Sequence, residues 1–304
     1  MNVLVTGGLG FIGSHIVEEL DKQNHKIKII DNFRTGNINN IPKSRNITII
    51  RGDILDYNLL KKELKDIDYV FHLAAIVSVV ESIQDPESTL MTNTIGTLNV
   101  LKACVENKVK KIIISSSSAI YGDNPTKLKK ENLFPDPKCT YALSKLDDEY
   151  LAKTFYEVHD INYVCLRYFN VFGPRQDPSS PYSGVISIFS SKTTKNEDLI
   201  IYGTGKQTRD FIFVKDIVKA NLLAMEKGQG VYNVGTGKST SINELANSII
   251  KLTKSKSKII YKEARKGGIM HSTADISKTK KELNFAPQYK LEDGLKLTLK
   301  YFKS

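Results

Sequence analysis

The chain has 304 residues, enough for one large α/β domain or two lobes with a sizeable core. Hydrophobic residues make up 40% and charged residues 25%, the balance of a globular protein, and no run approaches the ~20 apolar residues that a membrane helix needs. The formal net charge is +11, but its densest runs, 127–130, 251–258 and 278–282, lack interleaved aromatics, so no nucleic-acid and no membrane partner is expected.

The apolar stretch from Val3 to Val5 meets glycines at once and has no basic leader, which points to a cytoplasmic protein. Cys104, Cys139 and Cys165 match no zinc or redox spacing and read as reduced, structural thiols. The five histidines are scattered, and no metal site is expected.

Taken in chain order, short apolar runs alternate with amphipathic stretches. The runs 2–7, 26–31, 46–53, 68–74 and 110–117 are rich in Ile and Val and read as parallel strands buried on both faces. Helical patterns fall near 12–23, 56–65, 83–106 and 140–158, and a further strand at 161–168 extends the series. This alternation predicts an α/β fold, a Rossmann-type doubly wound parallel sheet. After Asn170 the pattern breaks at a Pro/Gly/Ser-rich loop, 173–184. The expected division is a dinucleotide-binding domain over 1–170 and a smaller C-terminal substrate-binding lobe over 171–304. Segments within 207–237 return to the large domain, and a helix near 291–302 comes last.

Gly7, Gly10 and Gly13 space the turn after the first strand as G-x-x-G-x-x-G. The first permits a tight turn, the second lets a pyrophosphate approach the backbone, and the third lets the helix pack close to the strand. The pyrophosphate then meets the positive end of the helix. Asp31, ending the second strand, would bind both ribose hydroxyls and repel a 2′-phosphate, favouring NAD over NADP, although Arg34 follows closely. Asp53 could accept from the adenine amino group; either Asp could instead be a strand-end turn residue. The stretch GTGKST (235–240) resembles the end of a phosphate-binding P-loop, but Tyr232 stands where that loop needs glycine.

In YALSK, Tyr141 and Lys145 are spaced i, i+4 and share one helix face. A free phenol has a pKa near ~10, and bringing one to about 7 needs roughly 4 kcal/mol. A nearby ammonium favours the phenolate, which would make Tyr141 a general base. A surface Tyr and a solvated Lys are the plain alternative.

Together these motifs resemble the extended short-chain dehydrogenase/reductases, within them the NAD-dependent epimerase/dehydratase family. The resemblance runs nearly end to end, through HLAA (72–75), NTIGTLNVL (93–101), SSSSAIYG (115–122), LRYFNVFGPRQDP (166–178) and QTRDFIFVKDI (207–217). Closest in look are the UDP-glucose and UDP-N-acetylglucosamine 4-epimerases. The resemblance implies NAD as cofactor, a UDP-hexose substrate and a homodimer formed through the helices near 83–106 and 140–158. It places Phe11 and Ile12 beside the pyrophosphate, and Asn32, Phe33, Gly36, Ile54, Leu73, Ala74, Ala75 and Asn93 along the cofactor, with Phe169 near the nicotinamide. Ser117 would orient the reacting oxygen, with Ser118 and Val185 close by. Asn170, Arg209 and Arg265 would hold the diphosphate, and Tyr202 would lie near the uracil.

In the reaction this implies, Tyr141 deprotonates the 4-hydroxyl, a 4-keto sugar forms and turns, and hydride returns to its opposite face. The family's dehydratases carry Asp-Glu where Ser118 and Ala119 stand here, and its decarboxylases carry Glu-Gly where Leu143 and Ser144 stand. Epimerisation is the expectation that remains. Ser272, small where glucose-only epimerases carry a large aromatic, suggests room for a 2-acetamido group; a plain strand-end residue is the alternative. Gly268 replaces an Asp found in many relatives, which leaves the nucleotide base open. The competing readings are a one-way reductase, which Asp31 opposes, and a non-catalytic dinucleotide-sensing or nucleic-acid-associated protein.

Overall fold

Val3, Leu4 and Val5 have no exposed surface, as a strand covered on both faces requires. In the computed structural model, which describes residues 1–178, 184–264 and 269–303, they belong to β1 (Asn2–Thr6). Next come α1 (Phe11–Lys22), β2 (Lys26–Asp31), β3 (Ile47–Arg51), α2 (Tyr57–Glu63) and β4 (Tyr69–His72). Then follow α3 (Val79–Gln84), α4 (Pro86–Leu90), a π turn over Met91–Ile95, α5 (Gly96–Glu106), β5 (Lys111–Ser117), β6 (Leu128–Lys129), α6 (Thr140–His159) and β7 (Asn162–Tyr168). The later chain forms β8 (Asn170–Phe172), α7 (Val185–Thr194), β9 (Leu199–Tyr202), β10 (Thr208–Arg209), β11 (Phe211–Phe213), α8 (Val214–Glu226) and β12 (Gly230–Val234). It ends with β13 (Thr240–Ser241), α9 (Ile242–Thr253), β14 (Ile259–Lys262), β15 (His271–Ala274), α10 (Ser277–Leu283) and α11 (Leu291–Lys303).

Seven strands form one sheet in the order β12-β7-β5-β4-β1-β2-β3, and every pairing is parallel. The chain winds outward from β1 to β3, then crosses to β4 and winds the other way. That reversal opens a crevice at the carboxyl ends of β1 and β4, the ligand position of such sheets. Ile16, Val17 and Ile217 cover one face of the sheet, and Val100, Leu101 and Ala152 cover the other. Each fully buried aliphatic side chain contributes about 1.5–3 kcal/mol. A third core, with Phe172, Phe189, Phe213, Leu245 and Leu295, joins α7, α9 and α11 to the short strands β8, β9 and β11.

The segment expected as one helix near 83–106 is broken. Pro86 cannot donate to a preceding turn and restricts Asp85 before it. Asp85 leaves helical geometry at φ −133° and caps α4, its side chain accepting from Ser88 N. The π turn that follows widens the backbone around buried Asn93. β12 pairs with β7 at the sheet edge, with Gly230 opposite Val164. Among the described residues, no helix is long and apolar enough to cross a membrane.

Candidate active site

A cavity of about 590 Å³ lies in the crevice, walled by the turn after β1, the ends of β2, β4 and β5, and the first turns of α6. Gly7 turns the chain at φ +67°, and a Cβ there would lie 2.8 Å from Ala74 N. A Cβ on Gly13 would lie 2.2 Å from Gly7 O, so the helix packs this close to the strand only without a side chain. Gly10 is different. A Cβ there would meet only Gly7 O, at 3.3 Å, and the space left open belongs to the cavity. Gly10 supplies no side-chain cap to α1, so the first-turn amides beside Phe11, Ile12 and Gly13 are available to an anion. These residues fit the pyrophosphate of a dinucleotide.

At the far end of the crevice, Asp31 accepts from Leu9 N at 3.0 Å through Oδ2 and from Phe33 N at 2.9 Å through Oδ1. Each oxygen keeps a lone pair for a ribose hydroxyl. Gly36 allows this: a Cβ there would lie 2.6 Å from Asp31 Oδ1. Asp53 accepts from Asn32 Nδ2 at 2.9 Å and from Leu55 N at 2.9 Å. Ile54, Leu73, Ala74 and Ala75 complete this wall. Arg34 also lines it, ion-paired with Glu81 at the start of α3. Sequence reasoning missed Glu81, since no motif announces a residue that arrives from a different helix.

Tyr141 and Lys145 both reach the cavity from α6, and Ser117 reaches it from the end of β5. Ser117 Oγ accepts from Ala119 N at 3.1 Å, which leaves its O–H to donate. Lys145 is buried, with Nζ 3.1 Å from buried Asp148 Oδ2. Burial alone would push the ammonium down. Asp148 and Tyr141 outweigh that and hold it above its ordinary value. Behind Ser117 lies a second buried ion pair. Arg167 grips Glu149 through Nε and Nη2 at 2.8 and 2.7 Å, and Glu149 also accepts from Ser116 Oγ at 2.5 Å. It ties the helix of Tyr141 to the strand of Ser117.

Phe169 lines the cavity, together with Val171, Gln176 and Gly184. Several expected residues do not line it. Asn93 is fully buried, bonded to Ile76 N, Ile76 O and Ser144 Oγ at 2.8, 3.0 and 2.9 Å, where it fixes the loop after β4 to α6. Phe33 lends its backbone N–H to Asp31, while Ser118 opens a 3₁₀ turn and Val185 opens α7. Asn170 on β8 donates to Asp210 O at 3.1 Å. Arg209 and Ser272 lie side by side on paired strands β10 and β15. Arg209 donates to Thr208 O at 2.8 Å, and burial holds its guanidinium below the ordinary value. Tyr202 ends β9, partly exposed. Arg265 and Gly268 lie outside the described residues.

The GTGKST loop has an anion already. Buried Asp210 accepts from Thr236 N at 2.8 Å, Gly237 N at 2.9 Å and Ala274 N at 3.2 Å, filling the nest that a phosphate would need.

The sequence profile of the NAD dependent epimerase/dehydratase family matches residues 3–235. The chain belongs to this family. Within the family it resembles a UDP-N-acetylglucosamine 4-epimerase from Methanobrevibacter ruminantium, solved with UDP-N-acetylmuramic acid: 46% identity, TM-score 0.96, covering 99% of this chain and 98% of that one. A UDP-glucose 4-epimerase from Thermotoga maritima, solved with UDP-glucose, is 40% identical with TM-score 0.96, covering 100% and 99%. A UDP-N-acetyl-alpha-D-glucosaminuronate decarboxylase from Bacillus cytotoxicus is 38% identical over 99% of this chain and 97% of its own length. The family is NAD-dependent, and the glycine turn and Asp31 are residues of this chain that fit such a cofactor.

Proposed function

We propose that this enzyme interconverts the 4-epimers of a UDP-hexose, admitting 2-acetamido sugars as well as UDP-glucose. The convergence of Tyr141, Lys145 and Ser117 on the cofactor cavity carries the reading. Bound NAD would accept a hydride from the sugar and give it back. Tyr141 takes the proton of the 4-hydroxyl, and the Lys145 ammonium on the same helix face favours the phenolate. Ser117 donates its hydroxyl proton to the reacting oxygen and fixes its direction. Arg209, facing no carboxylate among the hydrogen bonds and ion pairs of the described residues, holds the diphosphate. Ser272 beside it leaves room at C2. Ser118 and Ala119 offer no acid or base for dehydration.

The solved relatives named for UDP-glucose and UDP-N-acetylglucosamine support both sugars. The test is incubation with each nucleotide sugar, without added cofactor, and chromatography of the products. Both 4-epimers are expected. Loss of carbon dioxide from a UDP-hexuronate with no epimer from either hexose would replace this reading with decarboxylation.

We also propose a homodimer. Ile83, Met91 and Ile95 are exposed on the helices before α5, which pack against α6, where Leu143 and Tyr150 are exposed two turns apart. Two copies of that surface would bury it. Sedimentation should give a dimer for the wild type and a monomer for Ile83→Glu.

A further inference from the structure

Lysine 145 does not stand alone behind Tyr141. Its ammonium lies 3.1 Å from Asp148, one turn further along α6, and the two side chains are 3% and 0% exposed. An ion pair this dry is screened much less by salt and water than a surface pair. We propose that Asp148 is a positioning residue, which aims the Lys145 ammonium and screens its charge from Tyr141. The inference rests on the epimerase reading, in which Tyr141 is the base.

The surroundings leave Asp148 as the group that answers Lys145. From β4, His72 faces the pair with Nδ1 2.7 Å from Thr6 Oγ1 and Nε2 2.9 Å from Thr97 Oγ1. Burial, with the nearby Lys145, pushes its pKa down to about 3 and keeps it neutral. From β7, burial raises the Cys165 thiol well above its ordinary range, so it too is uncharged. From α6 itself, Glu149 is neutralised by Arg167 of β7. Asp147 is half-buried, accepts from Thr94 Oγ1 at 3.2 Å on the π turn, and adds some negative charge at the edge of the cluster. Burial raises Asp148, while Lys145 acts to keep it ionised.

Two consequences follow. One of the three N–H donors of Lys145 is fixed to Asp148, so the remaining two point from a set direction. Tyr141 also senses a dipole instead of a free cation. Its phenolate is therefore favoured less than a lone ammonium would favour it, and Lys145 stays protonated further into alkaline pH.

The test is the pH profile of kcat/KM for epimerisation by the NAD-loaded enzyme, wild type against Asp148→Asn. With the carboxylate charge removed, the acid limb should move down by about one pH unit, the lower scale of a nearby charge, and the alkaline limb should also move down. KM should change little. Superimposable profiles with a lowered melting temperature would overturn the proposal and leave Asp148 a packing residue. Asp148→Ser, also uncharged, gives the same readout if the Asn variant does not accumulate. Should the wild type turn over neither sugar, the epimerase reading fails by itself. The inference is then decided by ultraviolet titration of the Tyr141 phenolate, taken as the difference from Tyr141→Phe in each background. An unmoved midpoint in Asp148→Asn overturns it; a lowered one sustains it.

Discussion

Arg34 stands where a guanidinium could hold a 2′-phosphate, yet its side chain is spent on Glu81, and Asp85 lies within its field. Three carboxylates, Asp31, Asp53 and Glu81, line this end of the cavity against that one cation. Both features favour NAD. Glu81→Gln should therefore raise affinity for NADP by up to about fivefold, the ~1 kcal/mol scale of a partly exposed ion pair, with little change for NAD. Titrating apoprotein with each dinucleotide checks this, and unchanged NADP binding would leave Asp31 as sole selector. At the chemical end, Tyr141→Phe should lower kcat by about 10²–10⁴, the range for losing a general base, while retaining bound NAD. Nucleotide released from the acid-quenched variant measures the second half of that statement.

Among the elements, the turn between β1 and α1 is the most constrained. Gly13→Ala would drive a Cβ to 2.2 Å from a backbone oxygen that cannot swing away. We expect a loss of about 1–3 kcal/mol, the scale of overpacking, together with weakened NAD retention. Urea unfolding and bound-nucleotide assay measure the two effects. This turn was legible because glycine spacing reports backbone geometry directly. Six of the seven strands of the large sheet were legible too, to within a residue or two, because the inner strands are continuous apolar runs, while β12 was expected only as a segment returning to the large domain. What escaped had no local signature. The two-residue strands β6, β10 and β13 are too short for any period. The π turn around Asn93 is set by that amide's bonds to Ile76 and Ser144, which are distant in sequence. Asp148 could have been found, since it lies three residues beyond Lys145. The sequence does not say that this face of α6 is dry.

The whole molecule carries a pH limit in its three buried histidines, His15, His25 and His72, of which the first and last are shifted furthest. Burial lowers His15 to about 4 and His72 to about 3, from an ordinary 6.5. In the unfolded chain both take up protons near 6.5, while in the folded one they resist. Their contribution is complete above about pH 6.5 and is lost as pH falls towards those folded values, for a total on the order of 8 kcal/mol once both have titrated. Calorimetry should show the melting temperature falling between pH 7 and pH 4.5, and falling less in His15→Gln, which can still donate to Pro174 O as His15 does at 3.0 Å. The edge of the large sheet has a consequence for synthesis. Val164 of β7 pairs with Gly230 of β12, across the entire intervening segment from β8 to α8. As the chain leaves the ribosome, β7 emerges with one flank of amides and carbonyls unmatched, and its partner is not yet made. A nascent chain stalled before Gly230 presents that flank as a template for other strands. The last strand of the large sheet to be translated is thus the one that takes β7 out of reach of other chains.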